Sequence, residues 1–523
     1  MFRLLLTALA AMAIVSSPLL AKSFSVVSYN VENLFDLDGV ASYEEYASDK
    51  YTPEHLMVKV QNVVRVLAKV DQGAGPDILI LNEIELDQTP ESTIPDYHAW
   101  LDAVKDKKLE DLLTQSPLPD ELKGIPADLW LLKACEDAGL TGYQVVRSQE
   151  EPGNYEGGRP RSIHNVIFTR FPVLSTQTIA TPDARSILEA QLDVDGQPLT
   201  VLANHWKSGA GSSQAEAVRV RNARSLRDRL DAIFKENPLA DVLVGGDLNS
   251  HYNQNSRYPE MQKTGIIDVL GSQGNELALR SGKKDLYNLW FEIPTRERGS
   301  DVYQDEWGTL MHLIVSRGLY DNQGIQYKDN SFEILRIPGL NSDVFGRPYR
   351  WSRGKRPGGF SDHFPIIARF QVADENAKGK WMTLRAPSTL EQGPAGTLRL
   401  ISSVDLFKKA VKPSAEPDNA DFRDGTYDGK VFFIEAPATV NEKGFVSITL
   451  NGLEYDIFTQ NKELRERIRD MARSKSAIRF YGQLGTYRGR WQFVLHGTEW
   501  LADGPSSSLP HRHTSRLALA NQS

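Results

Sequence analysis

Five apolar stretches in the first 370 residues lead directly into or out of amide, acid or histidine side chains, and this limits the folds open to the 523-residue chain. The polar segments are YNVEN (Tyr29–Asn33), LNEIE (Leu81–Glu85), NHWKS (Asn204–Ser208), GGDLNS (Gly245–Ser250) and SDHFP (Ser361–Pro365). The adjoining apolar residues are typical of strands, and Gln214–Phe234 has the spacing of an amphipathic helix. Strand, helix and hairpin signals mix without strict alternation. We therefore predict an α+β fold, a four-layer α/β/β/α sandwich of two mostly antiparallel sheets with helices outside.

The sequence changes in character after Phe370. Residues 373–425 contain many Pro, Gly, Asp and Glu residues and only short apolar runs, which is typical of a linker. Three strand patterns, a charged helix pattern and two further strand patterns follow, and this order predicts a small OB-type β-barrel. The predicted organisation is a signal peptide at 1–21, a sandwich domain at 22–371, a linker at 372–425, an OB-like domain at 426–501 and a disordered tail at 502–523.

The N-terminal segment is typical of a secretory signal peptide. Arg3 is followed by an apolar run from Leu4 to Val15, then by small residues and a cleavage position after Ala21. The alternative is an N-terminal membrane anchor, but the apolar run is short for a membrane span. Cys135 is the only cysteine, so neither an intramolecular disulfide nor a lipid-anchored cysteine after the apolar run is expected. We expect a periplasmic or extracellular protein with no membrane partner.

The overall charge excludes one broad class of protein. The formal net charge is -8, whereas proteins that coat polyanions in bulk tend to be basic. A local basic cleft remains compatible with this charge.

In this order, the five polar segments resemble the endonuclease/exonuclease/phosphatase superfamily, also called the deoxyribonuclease I-like family, from Ser23 to about Phe370. The resemblance implies a metal-dependent phosphodiesterase. It assigns Asn30, Glu83 and Asp362 to the metal. Glu32 is either an additional member of this group or a solvated turn acid.

The resemblance also implies the catalytic residues. Asp247 and Asn249 match the pair that orients the attacking water and binds the phosphate. His205 and His363 match histidines that stabilise the phosphate or move protons, a task suited to the pKa of histidine. The sequence leaves open which histidine is the acid and which the base.

The chemistry of the implied site favours a hard cation. Phosphodiester cleavage needs a polarised water, donors for developing charge and a proton for the leaving oxygen. Asn, Asp and Glu oxygens suit Mg²⁺ or Mn²⁺, with Ca²⁺ as an alternative, better than zinc.

Cationic side chains near the motifs indicate an anionic substrate. We assign Lys207, Arg161 and Arg353 to substrate binding, and Arg159, His164 and Asn165 are further candidates in the same segment as Arg161. The segment 346–359 interleaves arginines with Tyr349 and Trp351, which suits nucleic acid, although a solvated loop would look alike. In the predicted barrel, the segment 480–491 is rich in aromatic and basic residues, and these are either a stacking surface or core.

These observations predict an exported metal-dependent nuclease, an endonuclease acting on DNA or RNA, with no obligate protein partner. One alternative is a phosphatase or phosphodiesterase acting on lipid or sugar phosphates. A second alternative is a nucleic-acid-binding protein with a weakened site.

One residue motivates that second alternative. The family usually has an acid on a late strand that orients the last histidine, and in the segment 310–316 Met311 occupies its place. A thioether carries no negative charge. Either another group orients His363, with Asp301, Asp305 and Glu306 as candidates, or activity is reduced. His312, the next residue, is expected to be structural.

Overall fold

The computed structural model describes residues 23–502 except 88, 90–93, 95, 151–152, 156–157, 305, 354–356, 374–400, 418–419, 425, 428, 475–476 and 488–489. The predicted signal peptide, most of the predicted linker and the predicted tail beyond Ala502 lie outside these residues. The described residues form two compact units. The first contains residues 23–335 and 350–373, and the second contains 336–349 and 401–502.

Fifteen strands belong to the first unit. In chain order they are β1 (Ser23–Leu34), β2 (Ile78–Glu85), β3 (Gln144–Arg147), β4 (Ile163–Thr169), β5 (Val173–Ile179), β6 (Ile187–Val194), β7 (Gln197–His205), β8 (Val242–Asp247), β9 (Leu286–Asn288), β10 (Asp301–Tyr303), β11 (Glu306–Gly308), β12 (Met311–Ser316), β13 (Ile325–Tyr327), β14 (Glu333–Ile334) and β15 (Ile366–Val372).

The helices of the first unit are mostly short. They are α1 (Pro53–Leu67), α2 (Tyr97–Ala103), α3 (Leu109–Leu113), α4 (Asp120–Lys123), α5 (Ala127–Asp137), α6 (Ser213–Glu236), α7 (Gln254–Arg257) and α8 (Glu276–Arg280). The Ser212 side chain caps α6 by accepting a hydrogen bond from the backbone N–H of Ala215 at 3.2 Å.

Two sheets make up the centre of the first unit. One has the order β13–β15–β1–β2–β4–β3, with β14 also paired to β15, and the other has the order β5–β6–β7–β8–β12–β9. Only β1 with β2 and β7 with β8 are parallel within these sheets. The predicted mostly antiparallel pairing is confirmed.

The strand alternation explains the four layers. Val27 and Leu79 belong to a core with α1 and α5, whereas their neighbours Val26 and Ile78 belong to the core between the sheets. On the second sheet, Leu202 faces α6 in a third core. Successive strand residues point to opposite faces, so each sheet buries one face on helices and one on the other sheet. The predicted α/β/β/α sandwich is confirmed.

The second unit contains a closed five-stranded barrel. Its elements are α9 (Ser403–Lys408), β16 (Val431–Val440), β17 (Val446–Leu450), β18 (Leu453–Phe458), α10 (Lys462–Arg473), β19 (Ala477–Tyr487) and β20 (Arg490–Val494). The strand order around the barrel is β16–β17–β18–β20–β19. Its core includes Phe432, Phe480 and Phe493. The predicted OB-like barrel is confirmed.

No helix in the described part of the chain combines the length and the apolar character needed to cross a membrane.

Candidate active site

The two parallel strand pairs bring four of the five polar segments to one place. Parallel neighbours end at the same edge of a sheet, and Asn30 pairs with Asn82 while His205 pairs with Asp247. The backbone leaves regular strand geometry there, because Glu32, Glu83 and Asn249 all have positive φ angles. Non-glycine residues adopt this region rarely, and such strain is concentrated at functional sites.

Asn30 joins the ends of the two sheets. Its Nδ2 donates to Glu83 Oε1 at 2.9 Å and to Asp247 Oδ2 at 3.0 Å. Behind it, the backbone N–H of Asp247 donates to Asn82 Oδ1 at 3.0 Å, and Asn82 Nδ2 donates to the carbonyl of Asn204 at 3.0 Å. These buried amides satisfy one another and fix the carboxylates in place. Asn82 stands in a motif that sequence reasoning identified, but its role was missed.

Asp247 lies between the two predicted catalytic histidines. Its Oδ2 is 3.8 Å from His205 Nε2 and 3.8 Å from His363 Nε2. His205 Nε2 is also 4.0 Å from Glu83 Oε1, and His363 Nε2 is 3.7 Å from Asp362 Oδ1. The structure therefore brings these five predicted site residues together.

The two histidines have opposite electrostatic surroundings. Burial lowers the pKa of His205 well below its usual value, and the positive charges of Arg185 and His363 lower it further. Burial also disfavours the charged form of His363, but Asp362, Asp247 and Asp301 outweigh it and raise its pKa to about 9. At neutral pH, His205 is thus neutral and His363 is cationic.

The turn after β8 places Asn249 beside Asp247. The backbone N–H of Asn249 donates to Asp247 Oδ1 at 2.8 Å, and Asn249 Nδ2 donates to the carbonyl of Trp206 at 3.2 Å. Gly246 has φ 121°, and a Cβ there would lie 2.0 Å from the carbonyl oxygen of Asn204. Only glycine permits this close approach.

The donor atoms fit a hard divalent cation. Ligand atoms of Glu83, His205 and Asp247 lie within 4.8 Å of one another. Asp362 Oδ1 is buried and accepts no hydrogen bond from the described residues. Burial, followed by the charge of Asp362, raises the pKa of Glu83. A buried group of carboxylate oxygens is the environment that a cation such as Mg²⁺ or Mn²⁺ stabilises.

The arginines assigned to substrate binding have internal partners. Arg161 forms an ion pair with Glu150 at 3.2 Å, and Arg353 forms one with Glu45 at 3.3 Å and lies over the ring of Tyr46. The structure thus places neither arginine in contact with the carboxylates and histidines above.

Other cations lie closer to these groups. Arg350 donates to Glu32 Oε1 at 2.9 Å and is 3.4 Å from Asp362 Oδ2, so Glu32 is a paired residue and not a solvated turn acid. Lys207 is half-buried and forms no ion pair with the described residues. Arg185, which sequence reasoning missed, donates from Nη1 to the carbonyl of Trp206 at 3.3 Å. No local motif marks it.

The remaining candidates of the segment around Arg161 are structural or exposed. His164 Nδ1 is 3.2 Å from the carbonyl of Ser148, and Asn165 Nδ2 donates to the carbonyl of Ser186 at 2.8 Å. Arg159 is exposed. Asn165 also accepts a hydrogen bond from Asn82 at 2.7 Å, which connects it to the amide network of the site.

Met311 is buried in the apolar core between the sheets. His312 Nε2 lies 2.8 Å from the carbonyl of Ser250 and its Nδ1 lies 3.0 Å from Asn288, which is the structural role expected for it. Neither residue contributes a negative charge near His363.

Asp301 supplies a carboxylate near His363 instead. It pairs with His363 through an isolated β-bridge, is buried, and its charge raises the pKa of His363. Its Oδ1 accepts from the backbone N–H of Leu310 at 3.1 Å, and a Cβ on Gly308 would lie 1.9 Å from its Oδ2. Of the other two candidates, Glu306 pairs with Arg257 at 3.1 Å and Asp305 lies outside the described residues.

Residues 164–372 match the endonuclease/exonuclease/phosphatase family. This segment contains His205, Asp247, Asn249 and His363 and begins after Asn30 and Glu83. No curated protein sequence matches the chain.

Among solved structures, a D. rerio TDP2 complexed with single strand DNA product is 15% identical, with 67% of this chain and 99% of that chain covered and a TM-score of 0.35. A truncated Caenorhabditis elegans TDP2 is 16% identical, with 67% and 98% covered and a TM-score of 0.35. A Bacteroides thetaiotaomicron endonuclease/exonuclease/phosphatase family protein is 14% identical, with 67% and 98% covered and a TM-score of 0.36.

Proposed function

We propose that the chain, of which residues 164–372 match the endonuclease/exonuclease/phosphatase family, is a metal-dependent phosphoester hydrolase and, more specifically, an exported nuclease that cleaves phosphodiester bonds of DNA or RNA. One observation carries the catalytic part of the proposal. Asp247 Oδ2 lies 3.8 Å from both His205 Nε2 and His363 Nε2 and 3.0 Å from Asn30 Nδ2.

We assign the metal to one side of this group. Asn30, Glu83 and Asp362 would hold Mg²⁺ or Mn²⁺, which supplies charge neutralisation and polarisation of the phosphoryl oxygen when bound.

The protein side chains would carry the proton transfers. Asp247, held by Asn30, orients a water and accepts its proton as the new P–O bond forms. His363 is cationic at neutral pH and donates a proton to the leaving oxygen as the other P–O bond breaks. Neutral His205 and the Asn249 amide donate hydrogen bonds to phosphoryl oxygens. General acid–base catalysis of this kind contributes about 10²–10⁴-fold to rate.

Two cations that form no ion pair with the described residues support an anionic substrate. Arg185 donates to the carbonyl of Trp206, the residue between His205 and Lys207, and neither Arg185 nor Lys207 forms an ion pair with the described residues. An unneutralised arginine can bind phosphate through two parallel hydrogen bonds. The closed barrel of the second unit supports nucleic acid over small phosphates, because OB-type barrels often bind single strands.

A substrate panel tests the proposal. The chain from Lys22 onward is incubated with Mg²⁺ or Mn²⁺, with and without chelator, against plasmid DNA, RNA and a small phosphomonoester. We expect chelator-sensitive cleavage of a nucleic acid and loss of it in His205→Ala. Turnover of the phosphomonoester alone would refute the nuclease proposal in favour of a phosphatase. Binding of nucleic acid without any turnover would indicate a weakened site. The carboxylate of Asp301 near His363 favours an intact site.

Export is the least direct part of the proposal. It rests on the pattern of residues 1–21 alone. Cell fractionation followed by N-terminal sequencing should find a mature chain outside the cytoplasm that begins at Lys22. A cytoplasmic chain that retains Met1 would refute export and leave the proposed chemistry untouched.

A further inference from the structure

Lys59 is a fully buried lysine beside the site, and the proposed chemistry does not use it. Burying an ammonium group is unfavourable unless hydrogen bonds or opposite charges compensate it. Burial lowers the pKa of Lys59 to about 7, while the charges of Glu32, Asp362 and Glu83 oppose this shift. A group with this cost needs a structural or functional reason.

The contacts of Lys59 join two parts of the site. Its Nζ donates to the carbonyl of Glu32 at 3.1 Å and to the carbonyl of Phe360 at 2.8 Å. Glu32 follows Asn30 by two residues, and Phe360 directly precedes the Ser361–His363 segment. The ammonium also lies 4.8 Å from the centroid of the Trp351 ring, a cation–π contact.

Lys59 is the middle member of a polar stripe on α1. His55, Lys59 and Asn62 are spaced so that they share one face of the helix. Asn62 Nδ2 donates to the carbonyl of Gly359 at 2.8 Å, and His55 Nε2 lies 3.3 Å from the carbonyl of Arg353. The Thr52 N–H donates to His55 Nδ1, so Nε2 carries the proton. All three side chains therefore donate to backbone carbonyls of the segment 353–360.

The same segment is tied to the end of β1 by other bonds. The backbone N–H of Trp351 donates to Glu32 Oε2 at 2.8 Å, and Ser361 Oγ donates to the carbonyl of Asn30 at 2.6 Å. Lys59 contacts the backbone of both sides through one buried atom, whereas the exposed Arg350 joins them through the side chains of Glu32 and Asp362. Its removal would leave the carbonyls of Glu32 and Phe360 without this donor, in a place where a small displacement changes the separation of Asn30 from Asp362 and His363.

We propose that Lys59 is a positioning residue, which sets the geometry between the Asn30–Glu83 side and the Asp362–His363 side of the site by bridging the carbonyls of Glu32 and Phe360. This inference rests on the proposed function for its kinetic consequence, but the geometry it describes also determines the affinity of the site for a cation. A misplacement of about 1 Å can cost about 10²-fold in rate.

The test uses Lys59→Met, which keeps the apolar stem and removes the ammonium. Lys133→Met on α5 is the control, because Lys133 is also buried and its Nζ also donates to a carbonyl, that of Lys107 at 2.6 Å, in addition to an ion pair with Asp137 at 2.7 Å. We expect kcat on a nucleic-acid substrate to fall about 10–100-fold in Lys59→Met with KM changed by less than about threefold, as for other residues that orient a metal site. Lys133→Met should keep the wild-type kcat.

A second readout is independent of turnover. Titration with Mn²⁺ should show an affinity about tenfold weaker in Lys59→Met than in the wild type and in Lys133→Met. Weaker Mn²⁺ binding in a chain that hydrolyses nothing would support the positioning role while refuting the proposed function. Wild-type kcat and wild-type Mn²⁺ affinity in Lys59→Met would overturn the positioning role.

If Lys59→Met does not fold, Asn62→Ala replaces it, because Asn62 contacts the same segment. A loss of kcat of about three- to tenfold, with a melting temperature lowered no more than in Lys133→Met, would then support the inference. Equal losses of activity and of melting temperature in Asn62→Ala and Lys133→Met would overturn it.

Discussion

The sandwich unit and the barrel unit treat buried polar groups differently. Within the described residues, the second unit buries only Asn341, Ser342 and Thr459 among its polar side chains. The first unit buries a large set, which includes the amides and acids at the ends of β1, β2, β7 and β8. Burying a polar group is costly unless it is hydrogen-bonded, so a concentration of them in one unit indicates chemistry there. The barrel core is built for stability.

The largest expected effect tests the sandwich side of this comparison. Asp247→Asn removes the carboxylate between the two histidines, so kcat on a nucleic-acid substrate should fall about 10²–10⁴-fold. The melting temperature should change by only a few degrees, because the repulsion of Asp247 from Asp362 opposes its attraction to the cationic His363. Steady-state kinetics and thermal unfolding measure the two quantities. A variant within tenfold of the wild-type kcat would show that the buried acids are structural.

The barrel should show the opposite behaviour. Phe480 is fully buried and packs in the barrel core with Phe432 and Phe493, so Phe480→Ala should cost about 3–5 kcal/mol in the stability of that unit. Because Phe480 belongs to the second unit, kcat on a small diester should be unchanged. Calorimetry that resolves separate transitions provides the measurement. Loss of turnover on the small diester at temperatures where the barrel remains folded would contradict the separation of the two units.

The third effect concerns the acid beside His363. Asp301→Asn keeps the hydrogen bonds of the β-bridge but removes a negative charge that raises the pKa of His363, so kcat should fall about 10–100-fold. The pH above which activity falls should also move to lower values. Met311→Leu is the control, because it conserves volume in the apolar core and should leave kcat and its pH profile unchanged. Equal kinetics in both variants would remove Asp301 from the site.

The sequence predicts the site where its signals are local. Each strand-end segment joins apolar alternation to polar residues within five or six positions, and parallel pairing of β1 with β2 and of β7 with β8 brings these ends together. The barrel is predictable for the same reason, because its element order can be read along the chain.

Contacts between side chains that are far apart in the sequence cannot be predicted in this way. Arg353 forms an ion pair with Glu45, and Asp301 pairs with His363 through a single β-bridge. Neither contact produces a periodic pattern in the sequence. The prediction that Arg161 and Arg353 bind substrate rests only on the positive charge of their segments. In the fold, a carboxylate elsewhere in the chain can neutralise such an arginine, and this depends on tertiary register. Arg185, in contrast, belongs to no motif and pairs with no carboxylate in the part of the chain that the structure describes.

The smallest expected effect concerns Asp241, a half-buried acid of the sandwich that lies outside the site. Asp241 Oδ2 accepts from the backbone N–H of Ile325 at 2.7 Å, and burial raises the pKa of Asp241 to about 8. An unfolded aspartate loses its proton at about pH 4.

Between about pH 4 and pH 8 the folded chain binds more protons at Asp241 than the unfolded chain does. The contribution of Asp241 to stability therefore decreases as the pH rises to about 8 and is constant above that. Asp241→Asn removes this dependence. From about pH 5 to pH 8, the melting temperature of Asp241→Asn should therefore decrease by a few degrees less than the melting temperature of the wild type. Exposed Asp195→Asn should keep the wild-type slope, and both variants should keep the wild-type kcat. If the melting temperatures of Asp241→Asn and of the wild type depend on pH in the same way, Asp241 is ionised in the folded chain. A lowered kcat in Asp241→Asn would show that the site depends on residues at the far end of β8.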